Sequence, residues 1–207
     1  MKPLLIGFCV FLSVLQSCTS GNNNTNEQKP EEEASSTQSN EHRIKKERLH
    51  EAREFCLENS YNTSVAFLSD MSMRSGRKRF FIVDLERDSL IGKGLVTHGH
   101  CQNYAARKPS FSNEVGSNCT SLGKYKVGYK YEGRFGTAYK LHGLETTNSN
   151  AFERFVVLHA HDCVPQSEAM FGICRSEGCP TVSPDFLSEL ETIIDRSEKP
   201  VLLWIYN

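Results

Sequence analysis

Arg175-Ser176-Glu177-Gly178-Cys179-Pro180, with His159-Ala160 upstream, is the stretch on which the reading of this 207-residue chain turns. A cysteine between glycine and proline sits on a sharp turn: glycine tolerates backbone angles other residues avoid, and proline fixes φ and lacks an N–H. Such a turn presents a thiol outward. His159 ends the apolar run Phe155-Val156-Val157-Leu158, which reads as a buried strand over 154–158. A histidine at a strand end and a cysteine on a turn twenty residues later can meet in space, the minimal arrangement for thiolate chemistry. An adjacent imidazole can generate the thiolate, and backbone N–H groups of the Gly178-Cys179 turn can hold an oxyanion.

Composition narrows the class. A formal net charge of −1 gives no support for nucleic-acid binding, and 38% hydrophobic residues allow one ordinary core. Eight cysteines suit an exported protein better than a cytosolic one. Met1-Lys2, the apolar run from Leu4 to Leu15 and Ser17-Cys18 read as a signal peptide over residues 1–17. The small residue before Cys18 resembles a bacterial lipobox, which implies lipidation of Cys18 and a periplasm-facing lipoprotein on the inner or outer membrane. Gln16 is not the usual small residue, so cleavage by the ordinary signal peptidase is the alternative. Residues 18–40, rich in Asn, Ser, Thr, Glu and Gln, are expected to be a disordered tether with a reach of roughly 25 Å.

The remainder predicts a mainly β domain with a few helices, an α+β arrangement. A moderately amphipathic helix is expected over 41–58, within an N-terminal helical segment of 41–62, followed by a domain over 63–207. Strands are expected at 65–68, 79–84, 90–96, 124–131, 137–141 and 201–206, with Glu132-Gly133 as a hairpin turn. The long polar stretch 97–120 is a functional-loop candidate. Ser183-Pro184-Asp185 reads as the start of a helix whose apolar face is Phe186, Leu187, Leu190, Ile193 and Ile194.

Ser176-Glu177-Gly178-Cys179, preceded by His159, resembles the S-x-G-C signature of the L,D-transpeptidase (YkuD-like) family, in particular its murein L,D-transpeptidase catalytic domain subgroup. Further matching pieces run in order: Arg79 to Leu85, Val96-Thr97-His98-Gly99, Phe111-Ser112-Asn113, Gly116-Ser117, Ser121-Leu122-Gly123, Gly143-Leu144-Glu145 and Val156 to His159. The resemblance implies a β-sandwich or barrel-like catalytic domain and a cysteine-dependent acyltransferase working on peptidoglycan stem peptides. Cys179 would attack the bond after the L-centre of diaminopimelate in a tetrapeptide stem, release D-Ala and form a thioester. An amine from another stem would resolve it as a 3→3 cross-link. Water would make the protein an L,D-carboxypeptidase, and a retired site would leave a peptidoglycan-binding lipoprotein. His159 would be the base, oriented by the carbonyl of Ala160, with Gly178 part of the nucleophile turn. Ser176, Arg175, Glu177, His98 and Ser121 are the implied substrate-side residues, and a surface salt bridge is the plainer reading of Arg175. Glu177 departs from the usual His or Trp. It would disfavour the thiolate, hold a substrate ammonium, or point to solvent.

His98, His100 and Cys101, and the alternating His159, His161 and Cys163, are conceivable zinc ligands, but they lack a recognised second ligand pair. No metal and no cofactor are assigned. Cys56, Cys101, Cys119, Cys163 and Cys174 leave the connectivity open: Cys101–Cys119, Cys163–Cys174, or a Cys174–Cys179 bond that would silence the nucleophile. No protein partner is legible.

Overall fold

The computed structural model describes residues 44–106 and 108–207. The signal segment, Cys18, the tether and the first residues of the expected helix at 41–43 lie outside the described residues. α1 spans Lys46–Glu58. The strands are β1 Val65–Asp70, β2 Phe80–Asp84, β3 Ser89–Gly94, β4 Gly123–Gly133, β5 Gly136–Gly143, β6 Val157–Ala160 and β7 Thr181–Val182. α2 follows at Pro184–Arg196 and β8 at Leu202–Tyr206. The described residues are thus mostly β-sheet with two helices, as their alternating and β-branched runs predict.

All eight strands join one sheet in the order β3-β2-β1-β8-β4-β5-β6-β7. The β1–β8 and β6–β7 pairs are parallel and the rest antiparallel. β1, β2 and β8 read as unbroken apolar runs because both of their faces are covered. Side chains alternate between faces along a strand. Ala66, Leu68, Phe81, Val83, Leu202 and Trp204 therefore meet Leu49, Ala52 and Cys56 of α1. Phe67, Phe80, Ile82, Leu203 and Ile205 point the other way, into a second core shared with Phe186, Leu187 and Leu190 of α2. That core also takes Tyr139 and Leu141 of β5 and Leu158 of β6, so the two halves of the sheet share one interior and the sheet is curled rather than flat. α2 begins as its sequence predicts: Ser183 caps it by accepting from the Phe186 N–H, and Pro184 fills the first turn.

Four local expectations shift. The β4–β5 hairpin runs two residues further, and its tip is Arg134-Phe135 rather than Glu132-Gly133. β6 starts at Val157, because Phe155 takes a left-handed φ of 56° that breaks extended structure there. Arg154 consequently leaves the sheet. His159 is not a strand end but is paired on both sides, with Ala138 and Thr181. The two-residue β7, directly after Pro180, was not legible at all.

The loop at 97–120 is tied down rather than free. Cys101 is bonded to Cys119, and Cys163 to Cys174. Cys56, buried, and Cys179, half-buried, are free thiols, so the Cys174–Cys179 pairing does not form.

Candidate active site

β7 brings the histidine and the cysteine together. Its parallel register sets Thr181 opposite His159, which places Cys179, two residues earlier, beside Val157 at the start of β6. The turn before it is pinned from three directions. Ser176 bridges to Gly99, donating its N–H to the His98 carbonyl at 3.0 Å and accepting from His100 N–H at 3.0 Å. Thr120 Oγ1 donates to the Gly178 carbonyl at 3.1 Å and accepts from Gly99 N–H at 2.9 Å. Thr97 Oγ1 donates to the Cys179 carbonyl at 3.2 Å and accepts from Thr181 N–H at 3.1 Å. Gly178 is required here. Its φ is +114°, and a Cβ would lie 2.7 Å from the Cys119 carbonyl oxygen.

The imidazole of His159 is buried. Its Nδ1 lies 2.9 Å from the Ala160 carbonyl. A carbonyl only accepts, so Nδ1 carries the hydrogen and Nε2 of the neutral ring is a bare acceptor. Nε2 takes the hydroxyl of Thr181 at 3.0 Å. Burial, with His161 nearby, lowers the pKa of His159 despite the opposing Ala160 bond, so the ring is neutral at pH 7 and fit to act as a base. Phe135, on the hairpin tip, lies nearly parallel to this ring with centroids 5.4 Å apart, and meets His161 edge-on at 5.2 Å.

The Cys179 thiol faces the Phe155 carbonyl at 3.8 Å. Burial raises its pKa, and Glu177 adds to this. The Val157 N–H, Arg154 and Lys140 act against it. In this state the sulfur is a thiol awaiting a base. Two cavities open onto it. The larger, about 330 Å³, is lined by Thr97, Tyr104, His159, Glu177, Cys179 and Thr181 among others. The smaller, about 210 Å³, is lined by Tyr131, Ala138, Phe155, Val157, His159 and Cys179 among others. Arg134 and Phe135 line both, so the hairpin tip forms part of each wall.

The residues expected on the substrate side divide. Arg175, Ser176 and Glu177 line the larger cavity, and Glu177 is exposed. Ser176 Oγ is already engaged, donating to the Cys179 carbonyl at 2.6 Å and accepting from Gly178 N–H at 3.2 Å. The Ser176 and Gly178 N–H groups are thus engaged, and those of Glu177 and Cys179 are the turn's open donors among the described residues. Arg175 donates to the carbonyls of Asn103, at 2.6 Å, and Ala106, holding the loop at 97–120. His98 and Ser121 are placed differently from these three. Both are buried and line neither cavity. His98 Nδ1 accepts from the fully buried Arg79 at 3.0 Å, while Ser121 bonds the Tyr125 hydroxyl at 2.7 Å. The two support the site from below. Cys101 and Cys163 are consumed by disulfides, and no group of three potential metal ligands occurs among the described residues.

Arg154 is the main residue that pattern reading missed. It donates to the Ser112 carbonyl at 2.9 Å, Ser121 Oγ at 3.2 Å, Ser117 Oγ at 3.3 Å and the Cys119 carbonyl at 2.5 Å. Its guanidinium thus gathers the end of the long loop beneath Gly178. Thr181 and Phe135, which contact the imidazole, were missed as well. Their only signals were adjacency to Pro180 and to the Gly133–Gly136 turn.

A buried, neutral imidazole beside a turn-borne thiol, reached from two cavities, is an arrangement suited to acyl transfer through sulfur. The chain belongs to the L,D-transpeptidase catalytic domain family, whose profile matches residues 36–206. No curated protein sequence matches it. Among solved structures, an L,D-transpeptidase from Mycobacterium smegmatis is 14% identical with a TM-score of 0.42, over 70% of this chain and 59% of that one. The helical cell shape determining protein Pgp2 from Campylobacter jejuni is 12% identical with a TM-score of 0.45, over 70% of this chain and 48% of that one. This chain therefore spans less than two-thirds of the length of either.

Proposed function

We propose that the protein is a cysteine-dependent L,D-transpeptidase that forms 3→3 cross-links between peptidoglycan stem peptides. The observation that carries this reading is the pair of cavities meeting at one sulfur. Acyl transfer between two peptides needs a donor and an acceptor to reach the same atom, and hydrolysis needs only one. In the first half-reaction His159 Nε2 exchanges its bond to Thr181 for the thiol proton. The sulfur attacks the acyl carbon after the L-centre of diaminopimelate. The Cys179 N–H is the turn donor for the oxyanion. The C–N bond breaks, the imidazolium returns its proton to the departing D-Ala nitrogen, and a thioester remains. In the second half-reaction the acceptor amine attacks the thioester, His159 takes its proton, the C–S bond breaks as the new amide forms, and the imidazolium returns the proton to the Cys179 sulfur. The hydrogen bond from Nδ1 to Ala160 holds the ring orientation through both.

The test is incubation of the purified protein and its Cys179→Ala variant with tetrapeptide muropeptides, with products weighed by mass spectrometry. Dimers that lose D-Ala, absent with the variant, are expected. Tripeptides alone would make it a carboxypeptidase, binding without turnover would make it a retired site, and turnover by Cys179→Ala would overturn the assignment. We also propose that Cys18 is lipidated and that residues 18–40 tether the domain to a periplasm-facing membrane. The lipobox-like Ser17-Cys18 supports this, and metabolic labelling with a radioactive fatty acid, lost in Cys18→Ala, tests it.

A further inference from the structure

Lys140 is a cation in an unusual position. It is only 6% exposed, yet among the described residues it has no carboxylate partner and donates no hydrogen bond. Two lysines of β4 are served differently: Lys124 reaches Glu51 and Glu145, and Lys130 reaches Glu191 and Asp195. The Lys140 ammonium instead lies 4.8 Å from the ring centre of Phe152 and 4.7 Å from that of Phe155. Aromatic faces offset part of the desolvation of a cation but accept none of its strong hydrogen bonds, so three N–H donors stay open. Among the described residues Ser69 Oγ is the one buried side-chain polar atom without a partner, so the Lys140 ammonium reaches solvent, from which a carboxylate can approach it.

The position is next to the reacting atom. Lys140 pairs with Val157 across β5 and β6, and Ala138, two residues earlier, pairs with His159. By strand alternation Lys140 shares the face of Ala138, Val157 and His159, three residues that line the smaller cavity. Phe155 joins the two groups directly: its ring carries the ammonium, and its carbonyl faces the Cys179 thiol. Arg154, the other cation near the sulfur, is committed to loop carbonyls and hydroxyls, and Arg134 is an exposed residue of the hairpin tip. Lys140 does not itself line the smaller cavity but lies beside it, on the strand face of three residues that do, and its charge acts on the Cys179 thiol.

We propose that Lys140, beside the smaller cavity, is a carboxylate-recognition residue, receiving a carboxylate of the acyl-donor peptide as its carbonyl reaches Cys179. The proposal rests on the reading that Cys179 is acylated by a stem peptide. Such a donor offers two carboxylates, the C-terminal one of the departing D-Ala and that of the diaminopimelate side chain.

The test uses alkylation of Cys179 by iodoacetate and by iodoacetamide, reagents of nearly equal size that differ in charge. Among the described residues the other free thiol, Cys56, is buried and does not compete. Any change in thiol reactivity affects both reagents and cancels in the ratio of their rates. Lys140→Met is expected to lower the iodoacetate-to-iodoacetamide ratio roughly five- to tenfold, the size of one close charge pair. Lys140→Arg, which keeps the charge, is expected to retain it. An unchanged ratio in Lys140→Met overturns the proposal. With tetrapeptides amidated either at the C-terminus or on the diaminopimelate side chain, the parent protein should lose kcat/KM on one of the two. Lys140→Met should treat that amide and the acid alike, and equal discrimination by parent and variant also overturns the proposal. Failure of the parent protein to turn over any stem peptide defeats the proposed function, while the alkylation ratio still decides the role of Lys140.

Discussion

The buried pair Arg79–His98 makes stability depend on pH in a window where few other groups titrate. Burial, with the charges of Arg79 and Arg175, lowers the pKa of His98 to about 4 from the ordinary value near 6.5. His98 accepts from Arg79, so a proton on Nδ1 would both abolish that bond and set two cations face to face. Between pH 6.5 and about 4 the unfolded chain binds a proton at this residue and the folded chain does not. The folded state is therefore favoured fully above pH 6.5, and the advantage is lost as pH falls toward 4. At about 1.4 kcal/mol per pH unit per proton, the loss amounts to roughly 3 kcal/mol. Urea unfolding of the disulfide-intact protein and of His98→Gln, at a series of pH values from 4.5 to 7.5 and constant ionic strength, measures it. His159 and His142, whose pKa values are also lowered, contribute with the same sign but are common to both proteins. The expected result is a steeper fall for the parent protein by close to one proton. Equal slopes, or an NMR titration of His98 centred near 6.5, would refute the reasoning.

Three further outcomes follow from the site. Gly178→Ala should destabilise by about 2 kcal/mol or more and slow Cys179 alkylation, because a left-handed φ and a close carbonyl oppose a Cβ; urea unfolding and thiol kinetics check it. Arg154→Met should leave the acceptors at Ser112 and Cys119 unserved, costing on the order of 2–4 kcal/mol, and should move the alkylation midpoint of Cys179 to higher pH, since a cation favouring the thiolate is lost. Phe135→Ala should uncover His159 and raise its pKa toward 6.5, shifting the acidic limb of the activity profile to higher pH with little change in urea midpoint.

Apolar runs made most of the sheet legible, because β1, β2 and β8 are covered on both faces and α2 carries a capped, one-sided stripe. The Cys179 turn was legible from Gly178 and Pro180, whose backbone constraints act locally. What stayed hidden depends on pairing between distant segments. Two residues, Thr181 and Val182, make a strand only because β6 is there to receive them. Arg154 reads as an ordinary charged residue until the left-handed Phe155 turns it beneath the Gly178-Cys179 turn. His98 and Ser121, polar and near glycines, look available to a ligand, and only the fold reveals that Arg79 and Tyr125 already hold them. Lys140 looks like the polar member of an alternating strand, since nothing in β5 announces that β6 and Phe155 close over it.

The two disulfides have a consequence for how the protein matures. Cys174, which is bonded to Cys163, stands five residues from the free thiol on which the proposed chemistry depends. During oxidation that near neighbour is the easiest partner for Cys179, because short loops close readily. A molecule that takes the wrong partner keeps its composition and loses its chemistry until thiol exchange corrects it. The working fraction of a preparation is then set by the sorting of sulfur atoms before any substrate arrives, so a free-thiol count is a more telling measure of quality than the yield of folded protein.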